Sequence, residues 1–172
     1  TLEKVVKTFH ALLQAALAGG ETRERIEEYA TETGDDFLAE TKRSLAMRHR
    51  EWLSHNERRL QMRRQWELFF DAFDVILLPV CVLPALRHDH RPVGERRIEV
   101  NGRQRNYLEM IDWMAPAGAC YLPATVVPVG VTELGLPVGI QVVGPYLNDH
   151  TTLAVAGLLA EIVGGIPRPT GF

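Results

Sequence analysis

The chain has 172 residues, a formal net charge of −3 at pH 7, 46% hydrophobic residues and 24% charged residues. This length suits one domain or a piece of a larger one, and the composition is ordinary for a soluble globular protein. The charge gives no global attraction to nucleic acid or acidic membranes, and no apolar run approaches the ~20 residues that span a bilayer. The chain opens at Thr1 with no Met and no signal-peptide pattern, so we expect it to be part of something longer.

The two cysteines, Cys81 and Cys120, both have apolar neighbours in the sequence. Two residues cannot build a disulfide framework, so reduced and buried thiols are the favoured interpretation. This use of cysteine predicts a cytoplasmic protein.

The N-terminal part is predicted to be helical. Apolar residues recur at three- and four-residue spacing through residues 1–18, as on one face of an amphipathic helix, and Gly19-Gly20 ends the pattern. A second short helix is expected over about 21–31. Gly34-Asp35-Asp36 breaks this helix, and an Asp there can cap the next one.

The segment 37–73 is predicted to be one long helix, because it contains neither Gly nor Pro. Its apolar residues repeat at seven-residue spacing, at Leu38, Leu45, Trp52, Trp66 and Phe73. An unbroken helix of this length would extend about 50 Å. A compact chain of this size has a diameter of only roughly 40 Å. The helix is therefore either broken or extends toward a partner.

Strand patterns begin after this helical part. The continuous apolar run 75–80 suits a strand buried on both faces, as in a parallel sheet. Asn101-Gly102, between short extended pieces over 98–105, is a strong hairpin signal. A short helix is expected over 107–114, stopped at Pro116.

The segment 121–144 holds two short apolar runs, 122–127 and 138–143, each edged by Pro and Gly. The connection 130–135 is too short for a crossover helix, so a hairpin is predicted. A final helix is expected over about 151–163, with Asn148 or Asp149 as its cap and Gly164-Gly165 as its end. The pattern predicts one α/β unit over 1–172, mainly helical over 1–73 and mixed α/β over 74–172.

Candidate nucleophiles are few. The only serines, Ser44 and Ser54, fall in the predicted long helix, where no strained turn or oxyanion donor activates them. The lysines lie on amphipathic helices, where solvated charge is expected. Cys120, in a Gly- and Pro-rich loop, is a better candidate, but no His is near it in the sequence. No catalytic residue is therefore assigned in this chain.

Metal and cofactor signals are also weak. His88-Asp89-His90 supplies at most two or three ligands, and no His-x-x-x-His or Cys-x-x-Cys accompanies it. A solvated polar loop is the favoured interpretation. No Gly-rich loop that could cradle a phosphate is present. We therefore expect neither a metal nor a cofactor.

Residues 40–64 carry eight Lys or Arg against three Glu, with Trp52 and Trp66 interleaved. A basic helix with aromatic residues could bind a phosphate backbone. The tryptophans fall on the apolar stripe, however, and residues 1–39 carry eight acids against four bases. A solvated basic face is favoured, and no nucleic-acid partner is expected.

A candidate site can be placed near the end of the predicted short helix. Glu109 and Asp112 share one face of that helix and could contact a substrate, although solvated surface is favoured. The aromatic and sulfur side chains that follow suggest an apolar cleft, formed by Tyr107, Trp113, Cys120 and Tyr121.

The segment 121–144 resembles the C-terminal part of the amidase signature family. The family carries Leu-Pro-Ala, then Pro-x-Gly, then a Gly-Leu-Pro-Val-Gly strand motif, followed by an Asp and a helix that ends near Glu. In this chain these motifs occur in order, as Leu122-Pro123-Ala124, Pro128-Val129-Gly130, the unbroken run 135–144, Asp149, and 156–161. The segment 73–79 is similar to the family's buried strand preceded by Asp.

The resemblance implies that the chain covers about the last third of an amidase that cleaves a carbon–nitrogen bond. Such enzymes act through a Ser, a cis-Ser and a Lys that serves as base. Their serines lie in a Gly-Gly-Ser-Ser-Gly-type segment of the N-terminal half, and this chain has no Ser-Ser. It implies a role in one wall of the acyl pocket for Trp113, Met114, Cys120 and Tyr121. Many members have Asn and Gly where this chain has Gly118 and Tyr121.

Three hypotheses about partners follow. The resemblance implies a small-molecule amide substrate and the remainder of the amidase. The alternative is a non-catalytic binding or assembly module that pairs with a second copy through the helix 37–73. Nucleic-acid binding through Arg58-Arg59 and Arg63-Arg64 is a third option, which predicts steep salt dependence.

Overall fold

The structure is a computed structural model that describes residues 1–164. Six α-helices and five β-strands follow one another in the described residues, with a 3₁₀-helix at Tyr107–Met114. The elements are α1 Leu2–Leu17, α2 Arg23–Tyr29, α3 Phe37–Leu45, α4 His49–Phe70, β1 Ile76–Pro79, β2 Arg97–Val100, β3 Arg103–Asn106, α5 Ala115–Cys120, β4 Ala124–Val131, β5 Pro137–Val143 and α6 Asp149–Val163.

The predicted N-terminal helices are confirmed as α1 and α2. The Thr22 side chain accepts a hydrogen bond from the Arg25 N–H at 3.4 Å and caps α2. The cap expected from one of the two aspartates is Asp36, since its carboxylate accepts from the Ala39 N–H at 2.8 Å. This satisfies one of the donors that the first turn of a helix leaves free.

The prediction of one helix over 37–73 is wrong, because the chain breaks between α3 and α4. Arg48 is extended, with φ −75° and ψ 150°, and the Glu51 carboxylate accepts from its N–H at 2.9 Å. This local cap starts a new helix without any Gly or Pro. The 22 residues of α4 extend about 33 Å, which fits within the chain's own diameter of roughly 40 Å. The length argument for pairing with a second copy is therefore lost.

The strands β1, β5 and β4 form one sheet in that order, and both pairings are antiparallel. Ile76 lies opposite Val143, and Pro79 opposite Ile140. The expectation of a parallel-sheet strand at 75–80 is therefore wrong. Within the described residues β1 is an edge strand that alternates half-buried and exposed residues, and a continuous apolar run does not reveal strand direction.

Both predicted hairpins are confirmed. Asn101 and Gly102 turn between β2 and β3 with φ angles of 52° and 73°, the left-handed pair that Asn-Gly favours. Between β4 and β5, the Thr132 N–H donates to the Leu136 carbonyl at 2.8 Å, and Gly135 adopts a φ of 76°. Ala124 lies opposite Val143 at the far end of this hairpin.

The sheet packs helices on both faces. On one face, α6 covers β4 and β5, and the hydroxyl groups of Thr125 and Thr152 are 2.8 Å apart. The other face carries α5, against which α1 and α4 pack. Val142 and Val143 are both fully buried, one in each core, and complete burial of such a side chain contributes about 1.5–3 kcal/mol.

The last predicted elements are confirmed with one correction. The short helix over 107–114 is a 3₁₀-helix, and Pro116 does not stop it, because the proline lies in the first turn of α5. Asn148 holds the N-cap position of α6, but its side chain makes no capping hydrogen bond within residues 1–164, and Gly164 ends the helix with a φ of 78°. Gly165 lies outside the described residues. No helix within residues 1–164 is long and apolar enough to cross a membrane.

We expect the Asp36→Ala variant to lose about 1 kcal/mol of unfolding free energy, because α3 loses its cap. Urea unfolding followed by circular dichroism measures the loss. Asp35→Ala is the matched control, since Asp35 is exposed and makes no side-chain hydrogen bond within residues 1–164. Equal losses in the two variants would contradict the assignment.

Candidate functional site

A cleft of about 840 Å³ opens between α1, α3, α4 and the 3₁₀-helix. Its volume falls in the range of small-molecule pockets. Much of its lining is apolar, from Val6, Ala11, Phe37, Met47, Val82 and Trp113. Trp113, which was predicted as a pocket residue, therefore borders a real concavity.

A polar pair crosses this cleft from α1 to the 3₁₀-helix. The His10 Nε2 lies 3.0 Å from the Asp112 Oδ1, and the two side chains are 12% and 18% exposed. With its N–H on Nε2, the imidazole donates to the carboxylate. The His10 Nδ1 is buried and has no hydrogen-bond partner within residues 1–164. The pair fixes Asp112, and with it the start of the Trp113 backbone.

Glu109 and Asp112, predicted to share a face, both line the cleft. They do not form a carboxylate pair, because each is engaged separately. Glu109 bonds to Arg105 and accepts from the Asn106 N–H at 2.9 Å. Asp112 bonds to His10. Glu109 and Asp112 therefore do not form a pair that could act together as general acid and general base.

Gln141 holds the backbone of Trp113 from the sheet side. Its Nε2 donates to the Trp113 carbonyl at 2.7 Å and to the Pro79 carbonyl at 2.7 Å. The residue is only 4% exposed. Gln141 was not among the predicted site residues, although a Gln between Ile140 and Val142 in an apolar strand is itself a signal of a buried polar contact. His10 was not among them either, because the helical pattern offers no signal for it.

The four predicted pocket residues do not meet on one surface of the described structure. Trp113 lines the cleft, and Met114 is largely exposed. Cys120 is fully buried in the core beside Val143, and this burial raises the pKa of its thiol to about 11. Tyr121 is 52% exposed. Tyr107 lines a different cavity, next to the loop with His88.

Tyr121 instead belongs to a stack of aromatic rings and guanidinium groups. It adopts a left-handed φ of 58°, and its ring centroid lies 4.5 Å from the Arg59 Cζ and 5.8 Å from the Arg63 Cζ. Arg63 also lies 4.0 Å over the ring of Tyr146, and Arg59 lies 5.9 Å over Trp52. Two arginines of the basic segment therefore pack against the chain's own aromatic residues.

The triplet His88-Asp89-His90 lies in a loop, and its one carboxylate, Asp89, is already paired with Arg91. The Asp89 oxygens accept from the Arg91 Nε at 3.0 Å and from its Nη2 at 2.6 Å, and this guanidinium lowers the pKa of Asp89 to about 2. Within residues 1–164, no three His, Cys, Asp or Glu side chains are grouped to hold a metal ion.

The serines bond to their own helices. The Ser44 Oγ donates to the Glu40 carbonyl at 2.8 Å, and the Ser54 Oγ donates to the Arg50 carbonyl at 3.3 Å. Of the lysines, Lys42 pairs with Glu32 at 2.9 Å. In the described part of the chain, no serine hydroxyl is hydrogen-bonded to a lysine.

The buried thiol gives a test. At pH 8 we expect iodoacetamide to modify Cys81 well before Cys120, because a pKa of about 11 leaves only about one thiolate in a thousand and the side chain is inaccessible. Mass spectrometry of the digested chain measures both rates. In urea the two rates should converge. Fast modification of Cys120 in the folded chain would contradict its place in the core.

The Asp89 pair gives a second test. Arg91→Gln should raise the pKa of Asp89 from about 2 toward its ordinary 3.8, because the removed cation favours the ionised form. Carboxyl-carbon NMR across a pH titration measures this value. Arg87→Gln is the matched control, and a pKa that stays low in Arg91→Gln would show that another group holds it down.

The chain matches a known protein family over most of its residues. The family model described as Amidase matches residues 5–153. A solved structure described as an amidase superposes with a TM-score of 0.69 at 26% identity, covering 94% of this chain and 36% of that one. The resemblance and the α/β fold class are confirmed.

Curated relatives are similar over a short part of their length. One glutamyl-tRNA(Gln) amidotransferase subunit, from Zymomonas mobilis subsp. mobilis, is 30% identical over 111 residues, which are 64% of this chain and 21% of the relative. Human fatty-acid amide hydrolase 2 is 51% identical over 51 residues, 30% of this chain and 10% of the relative. The chain thus spans about a fifth or less of these proteins. Because the family match runs through most of its residues, the chain belongs to the amidase family.

Proposed function

We propose that this chain is the C-terminal portion of a hydrolase that cleaves a carbon–nitrogen amide bond with water. The observation that carries the proposal is the family match over residues 5–153. The superposition on a solved amidase supports it, since nearly all of this chain aligns with about a third of that protein.

The reacting groups would come from the rest of the enzyme. By resemblance to the family, a Ser attacks the amide carbonyl, a cis-Ser relays its proton toward a Lys, and backbone N–H groups hold the oxyanion. The amine then leaves, and water releases the acyl group from the Ser. The hydroxyls of Ser44 and Ser54 are directed to helix carbonyls, which supports placing this chemistry outside the chain.

This chain would contribute the sheet and one wall of the acyl pocket. The cleft beside Trp113 is the concavity that best suits this role, because apolar side chains form part of its mixed lining and it has the volume of a small-molecule pocket. The substrate would be a small amide with an apolar acyl group. Tyr121 and Met114, at the surface of the described structure, could complete the wall only where the remainder of the enzyme packs on them.

The partner and the compartment are proposals of the same kind. The remainder of the amidase is the proposed partner, and exposed apolar side chains on α6 support it, namely Leu153, Leu158 and Ile162. A cytoplasmic location is supported by Cys81 and Cys120, which are free thiols in the structure.

The purified 172-residue chain should not hydrolyse amides, because it holds no activated nucleophile among its described serines. Ammonia release from benzamide measures this, with an intact family enzyme as the positive control. Hydrolysis that co-purifies with the chain and disappears in Ser44→Ala or Cys120→Ala would contradict the proposal.

The nucleotide sequence upstream of Thr1 gives the complementary test. An open frame with a Gly-Gly-Ser-Ser segment and an upstream Lys is expected. Expression of this upstream segment together with the chain should produce amide hydrolysis. Replacement of the Ser that attacks the amide carbonyl should abolish that hydrolysis. An upstream frame without these residues would count against the hydrolase assignment.

A further inference from the structure

Gln141 is a polar side chain in the middle of the central strand. It is almost completely buried, and its flanking residues Ile140 and Val142 are apolar. A side-chain amide buried without partners is costly, because it loses its hydrogen bonds to water. Here the Nε2 donates twice, so both of its N–H groups are satisfied.

The two acceptors lie far apart in the sequence. The Pro79 carbonyl ends the edge strand β1, 62 residues before Gln141, and the Trp113 carbonyl lies in the 3₁₀-helix, 28 residues before it. One side chain therefore fixes the distance between the sheet and the segment that borders the cleft. A hydrogen bond to a main-chain carbonyl constrains the backbone whatever side chain that residue carries.

The same segment is held from the opposite side by His10. Its hydrogen bond to Asp112 ties the preceding residue to α1 at 3.0 Å. The backbone of Asp112 and Trp113 is therefore clamped between the sheet and the N-terminal helix. The side chain of Trp113, the residue whose backbone is held in this way, lines the cleft.

We propose that Gln141 is a positioning residue for the substrate cleft, acting through the Trp113 carbonyl to set where the indole stands. By this position it determines which apolar acyl groups fit beside Trp113. The hydrogen bond from Gln141 to the Trp113 carbonyl, called the tether below, is a property of this chain alone. Its meaning for substrate choice rests on the proposed amidase function.

The first measurement needs no variant. In ¹⁵N-labelled chain, the side-chain amide protons of Gln141 should exchange with solvent at least tenfold more slowly than those of Gln104, an exposed glutamine in the β2–β3 hairpin. Equal exchange rates for the two glutamines would overturn the tether.

The second measurement follows the indole. The three tryptophans give three indole N–H cross-peaks, and Trp113→Phe identifies the one from Trp113. Gln141→Met keeps a similar volume but cannot donate, so the Trp113 peak should shift or broaden while the Trp52 and Trp66 peaks report an intact fold. Gln104→Met is the matched control. An unmoved Trp113 peak in folded Gln141→Met rejects the proposal.

Gln141→Glu adds a readout that a purely structural role would not show. The ionised carboxylate only accepts hydrogen bonds, whereas the protonated acid donates one. The Trp113 peak of this variant should therefore return toward the wild-type position on acidification, relative to wild type at the same pH. A displacement independent of pH would contradict donation as the cause.

Benzamide serves as the ligand probe. Adding benzamide should shift the Trp113 peak of the wild-type chain. Gln141→Met should raise the Kd for benzamide by about tenfold, because the indole is misplaced. Gln104→Met should leave the Kd unchanged. If benzamide does not bind the wild-type chain, the assignment of the cleft as a substrate site is wrong. The amide-exchange and indole measurements still decide whether Gln141 positions Trp113.

Discussion

The central strand β5 is the constraint on which the rest of the described structure depends. It is paired along both edges, and its consecutive residues Val142 and Val143 are fully buried in opposite cores. A register slip of one residue would exchange these faces and bury the wrong side chains. Gln141 adds a polar restraint to the same strand, since only the observed register aims its amide at the carbonyls of Pro79 and Trp113.

Small residues let helices approach this sheet closely. A Cβ at Gly144 would lie 2.7 Å from the Thr152 Cγ2, and a Cβ at Gly118 would lie 2.8 Å from the Phe9 Cε2. The first contact seats α6 on one face, and the second seats α1 against α5. A larger side chain at Gly118 would displace Phe9, the neighbour of His10. The small residue at 118 is therefore coupled to the position of α1, whose residues line the cleft.

Local chemistry explains what could be predicted from the sequence. The hairpin at Asn101-Gly102 follows from two residues that accept positive φ, and the hairpin before β5 follows from a connection too short for a crossover. The break before α4 could not be predicted in this way, because it rests on a hydrogen bond between Arg48 and Glu51 rather than on Gly or Pro. The direction of β1 could not be predicted either, because an apolar run is the same in both directions.

In the site too, features that depend on local sequence could be predicted, and features that depend on long-range contacts could not. Trp113 was predicted at a cleft because its segment is apolar and aromatic, whereas Cys120, at the end of α5, is buried in the core. Two residues hold the segment that contains Trp113. His10 bonds to Asp112 across 102 residues of sequence, and Gln141 bonds to Trp113 across 28, separations beyond any helical or strand period. Amide cleavage needs a nucleophile and oxyanion donors, but a pocket wall needs only a fixed position. The long-range hydrogen bonds of His10 and Gln141 supply such a fixed position for the backbone at Asp112 and Trp113.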